Sequence, residues 1–354
     1  MSKSRRGNFF EDFEPGQSFR HGVPRTVTEG DRALYIGLTG SRSALNSAST
    51  TAEMLGLQGA PIEDVLVFNI VFGRTVADIS LNAVANLGYA EGRFLAPVFS
   101  GDTLSVTSEV LAKKENSNGR SGVIYVRSTA KNQHGCDVLS YVRWVMVHKR
   151  DAGQPAGTVA ELPRFSAFVE SEKLQAPACI EPQRITAVTG VDDLWESYSK
   201  GERIDHPSSM TVNDSDHSIA TRLYQNNAKA HFDAQLMARS PLGKRLVYGG
   251  HVISICRSLA YDGLENSLGL LAINGGSHVS PVFAGDTISC ATTIVDAYPL
   301  DERIGALRLR TIGAKDVEST SEIAFPEGQG DKPTYSRNVV LDFDCTIAIP
   351  RRHH

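Results

Sequence analysis

The segment Pro97-Val-Phe-Ser-Gly-Asp-Thr-Leu-Ser105 occurs again, nearly unchanged, as Pro281-Val-Phe-Ala-Gly-Asp-Thr-Ile-Ser289. The chain has 354 residues, so the distance between the two copies is close to half its length. Self-similarity at a fixed spacing is typical of a duplicated structural unit. The repeat therefore predicts two copies of one fold, and the rest of the sequence is interpreted on that basis.

Other short segments recur in the same order and extend the repeat over most of the chain. The matched positions are Gly16 with Gly201, His21 with His206, Thr26 with Thr211 and Arg127 with Arg310, all at nearly the same spacing, and Leu66-Val-Phe with Leu246-Val-Tyr, at a slightly shorter one. Ordered matches at a nearly constant spacing indicate a duplication. Because His21 and His206 are present in both copies, a structural role is favoured for them.

Each copy predicts a long apolar helix followed by antiparallel strands, which are rich in β-branched residues and separated by Gly-Asp and Asn-Gly turns. The helices are predicted over Val65–Ser80 and Gly250–Asp262. The strands are predicted over Gly92–Leu111, Gly122–Asn132 and Val138–Val147 in the first copy, and over Ser277–Ala297, Gly305–Ala314 and Val339–Ile349 in the second. The fold class is therefore α+β, with a curved sheet around each helix. Two such units can pair their sheets edge to edge, which removes exposed edges.

The predicted units are residues 1-150 and residues 184-354, joined by a linker over residues 151-183. The linker is rich in Pro, Ala, Gly and Glu, a composition typical of an extended surface segment. The second unit carries an additional loop over Val317–Asn338, which accounts for a larger spacing at the last strand. A chain of this length exceeds one typical core, in agreement with two units.

The composition argues against several classes of function. A formal net charge of −4 argues against nucleic acid or an anionic membrane as the main partner. No apolar run approaches the roughly 18 residues of a membrane span, and no apolar region follows the basic N-terminus as a secretory signal requires. The five cysteines are scattered and form no CxxC pair, which predicts reduced thiols, a cytoplasmic protein and no metal site.

The two copies differ in their titratable residues over the stretch Tyr224–Ser258. At the spacing that relates Gly16 to Gly201, the second copy matches the first as His231 with Asn46, Asn226 with Ser41 and Asp233 with Ala48. At the spacing that relates Leu66 to Leu246, the pair Gly249-Gly250 falls on Asn69-Ile70. Scaffold residues thus recur in both copies, whereas reactive residues occur in one. This asymmetry predicts one active site per chain, built in the second half, with the first half shaping the substrate groove.

His231 and the glycine pair suit acid–base chemistry on a carbonyl compound. Histidine titrates near neutral pH, so it can accept a proton from water and return one to carbon or oxygen. Two glycines at the start of an apolar helix leave N–H groups accessible to a ligand oxygen, and the helix dipole favours negative charge there. A polarised carbonyl beside a histidine-bound water points to addition or removal of water next to a thioester.

The pattern Tyr-x-Asn-x-x-x-x-His-x-Asp, followed by a glycine-led helix and by Pro-Val-Phe-x-Gly-Asp, resembles the MaoC-like family of R-specific enoyl-CoA hydratases. Longer strings, such as Asp78-Ile-Ser-Leu-Asn-Ala-Val-Ala-Asn-Leu-Gly-Tyr and Tyr248-Gly-Gly-His-Val-Ile-Ser, resemble one branch of it, the mesaconyl-CoA hydratases or β-methylmalyl-CoA dehydratases. The resemblance covers Gly7 to Arg352 and implies a double hot-dog fold. It also implies reversible syn hydration of mesaconyl-C1-CoA (2-methylfumaryl-CoA) to β-methylmalyl-CoA, in glyoxylate or acetate assimilation or in carbon fixation.

The resemblance also implies roles for individual residues. His231 would be the main acid–base group, the Gly250 amide would polarise the thioester carbonyl, and Ser258 would support the acid. His251, on the helix after the glycine pair, could equally be a packing residue.

Three positions depart from the pattern of the broader family. Asn226 stands where that family has Asp, Lys229 where it has Pro, and Gly249 where it has His. Asn226 can hold a water molecule but cannot titrate. The second proton is therefore left to Asp233 or to the substrate's own carboxylate, and the residues do not decide between them.

A dicarboxylate substrate also needs a cation for its free carboxylate, and an arginine is the usual partner. Arg93 or Arg74, in the first copy, could serve. The phosphates of coenzyme A could meet Lys229, Lys244 or Arg245. Coenzyme A is part of the substrate here, so no separate cofactor is expected. A homo-oligomer is expected, since larger assemblies are common among such proteins.

Three other functions remain open from the sequence. The chain could hydrate enoyl-CoA esters of another chain length. It could be a hot-dog thioesterase, for which Asp233 is the only acid near His231 to activate water. It could also be a non-catalytic acyl-CoA binding module, which would not need His231.

Overall fold

The computed structural model describes residues 7–154, 157, 161–326 and 333–352, and its first half contains four helices and six strands within that range. The helices are α1 Glu29–Thr39, α2 Ala44–Ser47, α3 Ser49–Met54 and α4 Asp64–Thr75. The strands are β1 Ser18–Arg20, β2 Arg25–Thr26, β3 Ala83–Phe94, β4 Thr103–Glu115, β5 Ser121–Lys131 and β6 Asp137–His148. One π-helical turn, Val76–Ser80, continues α4 to the residue at which the sequence predicts the helix to end.

The second half repeats this order of elements. Its helices are α5 Thr186–Thr189, α6 Asp214–Leu223, α7 Lys229–Phe232, α8 Ala234–Met237 and α9 Gly249–Leu259. Its strands are β7 Arg203–Asp205, β8 Met210–Thr211, β9 Gly269–His278, β10 Thr287–Pro299, β11 Ile304–Lys315 and β12 Val339–Pro350. The additional loop predicted over Val317–Asn338 joins β11 to β12, and its residues 327–332 lie outside the described part.

The strands form one antiparallel sheet in the order β1-β4-β5-β6-β3-β9-β12-β11-β10-β7, with β2 paired to β4 and β8 paired to β10. The two halves meet where β3 pairs with β9, with Tyr89 opposite Gly276 and Arg93 opposite Ala272. The predicted edge-to-edge pairing is therefore confirmed. It leaves no free edge between the two halves.

The sequence prediction is wrong for these two central strands. It begins them at Gly92 and Ser277, whereas β3 begins at Ala83 and β9 begins at Gly269. Both strands contain Gly and Asn, which are depleted in strands and hide the signal. The glycines are needed for close approach, since a Cβ on Gly92 would lie 2.8 Å from the Ile273 Cβ on the paired strand.

Helices α4 and α9 are in contact, and nearly all their residues are buried, as expected for helices that are apolar on all sides. Asn69 Nδ2 donates hydrogen bonds to Ser254 Oγ at 3.0 Å and to the Gly250 carbonyl at 3.1 Å. Asn69 and Ser254 are related by the spacing of the repeat, so they are equivalent positions of its two copies. This hydrogen bond therefore joins the two halves at their pseudo-twofold axis.

The first residues of α4 and α9 show how the two copies align in this region. α4 begins at Asp64 and α9 begins at Gly249, and these two residues have the same spacing as Asn69 and Ser254. The segment Leu66-Val-Phe lies inside α4, whereas Leu246-Val-Tyr precedes α9, so the match of these two segments is wrong. The counterpart of the glycine pair is Asp64-Val65.

The described part of the linker runs over the sheet face opposite α4 and α9. Phe165 stacks on Trp144 with the ring centroids 5.9 Å apart, and the Val169 amide donates to Asn274 Oδ1 at 2.9 Å. The Arg308 guanidinium lies 4.8 Å from the Phe168 ring centroid. Residues 155–156 and 158–160 of the predicted linker lie outside the described residues.

Candidate active site

A cavity of about 620 Å³ opens beside the start of α9, a volume in the range of small-molecule sites. Its wall includes His231, Asn226 and Gly249 of the predicted site. The first half contributes residues of β3, β6 and the π-helical turn. The second half thus supplies the predicted reactive group, and the first half supplies much of the wall.

Two hydrogen bonds that involve the main chain of Leu246 fix the position of His231. It lies on the short helix α7, and its Nδ1 is 3.0 Å from the Leu246 carbonyl oxygen. The Leu246 amide donates in turn to the Ala230 carbonyl at 3.0 Å. A carbonyl only accepts, so Nδ1 carries the proton and Nε2 keeps a lone pair. The imidazole is therefore held in the tautomer that can act as a base through Nε2.

The first half contains the same contact without the base. Asn46 Nδ2 donates to the Pro61 carbonyl at 3.0 Å. Asn46 and Pro61 precede His231 and Leu246 by the spacing of the repeat, so the two hydrogen bonds are equivalent. The amide of Asn46 reproduces the Nδ1–H donor but offers nothing in place of Nε2. What distinguishes the second half is therefore the unprotonated imidazole nitrogen.

Burial lowers the pKa of His231 to about 4, because the charged form loses solvation; the Leu246 carbonyl opposes this shift, and the charge of His217 adds to it. His231 is therefore neutral at physiological pH. A neutral imidazole is the form that a general base requires.

The start of α9 presents the predicted donors. The first amides of a helix have no intrahelical acceptor, so the Gly249 and Gly250 N–H groups are available at its positive end. A Cβ on Gly249 would lie 2.4 Å from the His278 ring, and a Cβ on Gly250 would lie 2.0 Å from Asn69 Oδ1. The neighbouring side chains therefore leave no room for a Cβ at either position, so both must be glycine. Gly249 lies on the cavity wall, whereas Gly250 packs against α4 and is absent from that wall.

The sequence interpretation missed a second histidine of the cavity. His278, at the end of β9, lies against Gly249, and its Nε2 is 3.3 Å from the Tyr89 hydroxyl. Burial lowers its pKa to about 4, and the charge of His231 acts in the same direction. The predicted strand Ser277–Ala297 included His278, but the residue belongs to no motif, so no sequence signal marked it as part of the site.

Asn226 is buried, with its Oδ1 accepting from the Ala228 amide at 3.0 Å. It follows Gln225, whose φ of 52° turns the chain after α6. Its side chain thus stabilises the turn that leads to His231, and it also lines the cavity. Both the structural and the water-holding interpretation are compatible with this position.

Asp233 and Ser258, like Gly250, do not line the cavity. Asp233 is exposed and is the N-cap of α8, its Oδ1 accepting from the Leu236 amide at 2.9 Å. Ser258 lies at the far end of α9, in a small cavity of about 50 Å³ lined also by Glu63, Asp64 and Asn46. This small cavity is the first half's counterpart of the larger one. Neither Asp233 nor Ser258 therefore lies on the wall that carries His231.

Arg93 is on the wrong face of the sheet. Tyr89 on β3 is opposite Arg143 on β6, and both line the cavity. A bulge follows Ala90, with Glu91 at φ 50°, so Arg93 is opposite Ser140 instead. Ser140 is three residues from Arg143, and this odd spacing puts it on the other face. Simple alternation from Tyr89 would have placed Arg93 in the cavity.

The residues proposed to bind the phosphates of coenzyme A do not all line the cavity. Arg245 is paired with Asp214 at 2.7 Å, and Lys244 lies 4.5 Å from the centroid of the Phe283 ring. Lys229 lines the cavity, and so does Arg239, which the sequence interpretation did not name. These two residues give the cavity wall positive charge.

His251 is buried on α9, where its Nδ1 is 3.3 Å from the Tyr224 hydroxyl. It is absent from the cavity wall, which favours the packing role. Within the described residues, no helix is long and apolar enough to cross a membrane. The same residues contain no cluster of His, Cys, Asp and Glu suited to a metal ion.

Comparison with known proteins shows the family of this chain. The sequence model of the mesaconyl-CoA hydratase family matches residues 2–339. The chain belongs to the mesaconyl-CoA hydratase family. It is 48% identical over 354 residues to the β-methylmalyl-CoA dehydratase of Chloroflexus aurantiacus, covering 99% of each chain. It is 46% identical over 351 residues to the mesaconyl-CoA hydratase of Cereibacter sphaeroides, covering 99% of this chain and 100% of the relative.

Solved structures place this member of the mesaconyl-CoA hydratase family in the double hot-dog fold. A MaoC-domain dehydratase from Chloroflexus aurantiacus superposes with a TM-score of 0.93 at 47% identity, covering 99% of this chain and 100% of the other. A Mycobacterium tuberculosis protein with a double hotdog fold superposes with a TM-score of 0.75 at 24% identity, covering 97% and 98% of the chains. The second likeness concerns the fold alone. The predicted α+β double hot-dog is confirmed.

Proposed function

We propose that this protein catalyses the reversible hydration of mesaconyl-C1-CoA to β-methylmalyl-CoA. One observation supports this most strongly: a neutral imidazole, held with Nε2 unprotonated, lines a cavity at the positive end of α9. Membership of the mesaconyl-CoA hydratase family over nearly the whole chain agrees with the reaction. No cofactor takes part, and coenzyme A enters as part of the substrate.

In the hydration direction, His231 Nε2 accepts a proton from water as the water oxygen bonds to C3 of the acyl group. The electron pair of the double bond moves towards the thioester carbonyl, whose oxygen accepts a hydrogen bond from the Gly249 amide at the start of α9. The negative charge that develops there is stabilised by this donor and by the helix dipole.

The imidazolium of His231 then returns the proton to C2 on the same face, so the addition is syn. Because burial holds the pKa of His231 near 4, the imidazolium is a good proton donor. One residue can therefore move both protons, and Asn226 need only hold the water. Asp233 is not needed, in agreement with its place as the cap of α8.

The coenzyme lies towards Lys229 and Arg239 in this proposal. These two residues line the cavity and can meet its phosphates. The acyl group then points inward, towards the buried part of the wall. A homo-oligomer and a cytoplasmic location remain predictions, and light scattering on the purified protein tests the first.

The test is the loss of enoyl-thioester ultraviolet absorbance with mesaconyl-C1-CoA, for the wild type and His231→Ala, with crotonyl-CoA as the control substrate. We expect the wild type to prefer mesaconyl-C1-CoA and His231→Ala to lose about 10²-fold or more in rate. A wild type that hydrates neither ester would refute the proposal and favour a non-catalytic binding module.

A thioesterase is the second candidate, and the cavity argues against it. Activation of water on a thioester carbon by a carboxylate needs Asp or Glu at the site, and none lines this cavity among the described residues. Release of free thiol, followed with a thiol reagent in the same assay, separates the two reactions.

A further inference from the structure

Arg143 lines the cavity and is buried, with no surface exposed to solvent. Its Nη2 donates to Thr75 Oγ1 at 2.9 Å and to Ser80 Oγ at 3.3 Å, and its guanidinium lies 4.1 Å from the centroid of the Phe72 ring. Its Nε and Nη1 are buried without any hydrogen-bond partner. The guanidinium is thus held in place while two nitrogens remain free.

No carboxylate is paired with Arg143 in the part of the chain that the structure describes. Three other arginines of the same sheet each have an acidic partner. They are Arg127 with Glu91, Arg308 with Asp344 and Arg310 with Asp342, each at 2.6 Å. An unpaired buried charge costs several kcal/mol. A position that keeps such a charge in the wall of a cavity is suited to an anionic ligand.

Two further polar groups beside Arg143 also lack partners. Asn86, on β3, has both side-chain atoms buried and unbonded, and the Tyr248 hydroxyl is buried and unbonded as well. Both residues line the same cavity. Together with Nε and Nη1 of Arg143, they give hydrogen-bond donors that could surround one carboxylate.

This group of donors is connected to His231 along one wall. The Phe72 ring, over which Arg143 lies, is 5.4 Å from the Tyr248 ring, and the Tyr248 ring is 5.5 Å from the His231 ring, between centroids. Lys229 and Arg239 line the same cavity, on and after α7. An acyl group that reacts at His231 can therefore extend along this wall to Arg143 while the coenzyme meets Lys229 and Arg239.

We propose that Arg143, assisted by Asn86 and Tyr248, binds the free carboxylate of the acyl group and makes the enzyme selective for monothioesters of dicarboxylic acids. This inference rests on the proposed hydration, because that substrate carries a carboxylate on C3, the carbon that water attacks. A guanidinium binds a carboxylate through two parallel N–H···O bonds, which fix its plane as well as its position. Arg143 is then a binding and positioning residue, and it replaces Arg93 in that role.

The test compares two substrates that differ only at the carboxylate. Mesaconyl-C1-CoA and (E)-2-methylbut-2-enoyl-CoA share the double bond and the C2 methyl, and the second has a methyl group in place of the carboxylate. We expect Arg143→Gln to lower the ratio of their kcat/KM values by about 10²-fold or more, since a buried polar site discriminates strongly against the ligand that leaves it unpaired. Arg93→Gln, on the opposite face, is the control and should leave the ratio unchanged. An Arg143→Gln variant that keeps the wild-type ratio within threefold overturns the inference.

A binding measurement keeps this test independent of turnover. The saturated esters methylsuccinyl-CoA and 2-methylbutyryl-CoA cannot react, and calorimetry gives their Kd values for wild type, Arg143→Gln and Arg143→Met. We expect the wild type to prefer methylsuccinyl-CoA and both variants to lose that preference. If the wild type does not hydrate mesaconyl-C1-CoA, the proposed function fails, and the Kd ratio alone decides the role of Arg143. If the wild type and both variants prefer methylsuccinyl-CoA to the same extent, the proposed role of Arg143 is overturned.

Thermal unfolding of the free protein separates a binding role from a structural one. A buried charge kept for a ligand destabilises the unliganded fold, so Arg143→Met should have an unchanged or higher Tm. A lower Tm together with an unchanged Kd ratio would show that Arg143 serves the fold alone, against the inference.

Discussion

Replacing His231 by Asn removes the nitrogen proposed to act as the base and keeps the nitrogen that donates the structural hydrogen bond. In the first half, Asn46 Nδ2 donates to the Pro61 carbonyl at 3.0 Å, and His231 Nδ1 makes the equivalent contact to Leu246 at 3.0 Å. His231→Asn should therefore keep this hydrogen bond, as the first half already does. His231→Ala loses it and provides the comparison.

The magnitudes of the two effects follow from these contacts. Loss of a general base lowers kcat by about 10²- to 10⁴-fold, and this applies equally to Asn and Ala at position 231. Loss of one hydrogen bond costs about 1 kcal/mol in the free energy of unfolding, and this applies only to Ala. The Asn variant should thus be inactive and as stable as the wild type.

The assay combines hydration of mesaconyl-C1-CoA with urea unfolding of each variant. The wild-type rate should also fall as the pH drops through about 4, where His231 becomes protonated. His231→Asn that retains more than a tenth of the wild-type kcat would refute the role of His231. His278, which lies against Gly249 on the same cavity wall, would then be tested in the same way.

Three further predictions concern residues around the site. Gly249→Ala places a Cβ 2.4 Å from the His278 ring, so steady-state kinetics should show a lower kcat; normal kcat would mean that the position of His278 is unimportant. Burial lowers the pKa of His251 to about 4, so the unfolded chain binds a proton first, and the free energy of unfolding should fall by about 3 kcal/mol from about pH 6.5 to about pH 4. Urea titrations of His251→Gln should lack that part of the pH dependence, and an unchanged dependence would contradict the shift. Asp233→Ala removes the cap of α8 and should cost about 1 kcal/mol in urea unfolding, with kcat unchanged; a large loss of kcat would restore Asp233 to the mechanism.

The repeat and the local strings were enough to predict the fold and the family. A duplicated Pro-Val-Phe-x-Gly-Asp segment predicts two units, and the helix and most strands of each unit follow from their own hydrophobic patterns. Comparison of the two copies also singled out His231, because its counterpart in the first copy, Asn46, cannot titrate. These features depend on residues that are close together in the chain, so the sequence carries them directly.

The central strands were harder to predict, for a physical reason. β3 and β9 contain Gly and Asn residues, which weaken the β pattern, and Gly92 is required for the close pairing of the two strands. His278 was missed because only the tertiary structure brings it against Gly249. The bulge at Glu91 was also not predictable, and it turned Arg93 to the opposite face.

By itself, the sequence determined that this protein has two hot-dog units and that it belongs to its family, and it predicted a reactive histidine in the second unit. Only the tertiary structure decided which groups meet His231. Arg143 belongs to the first unit, and pairing of β6 with β3, and of β3 with β9, brings it to the same cavity. Burial in the folded protein lowers the pKa of His231. Arg143 has no carboxylate partner among the described residues. Both properties depend on the surrounding protein and not on the neighbouring residues in the sequence.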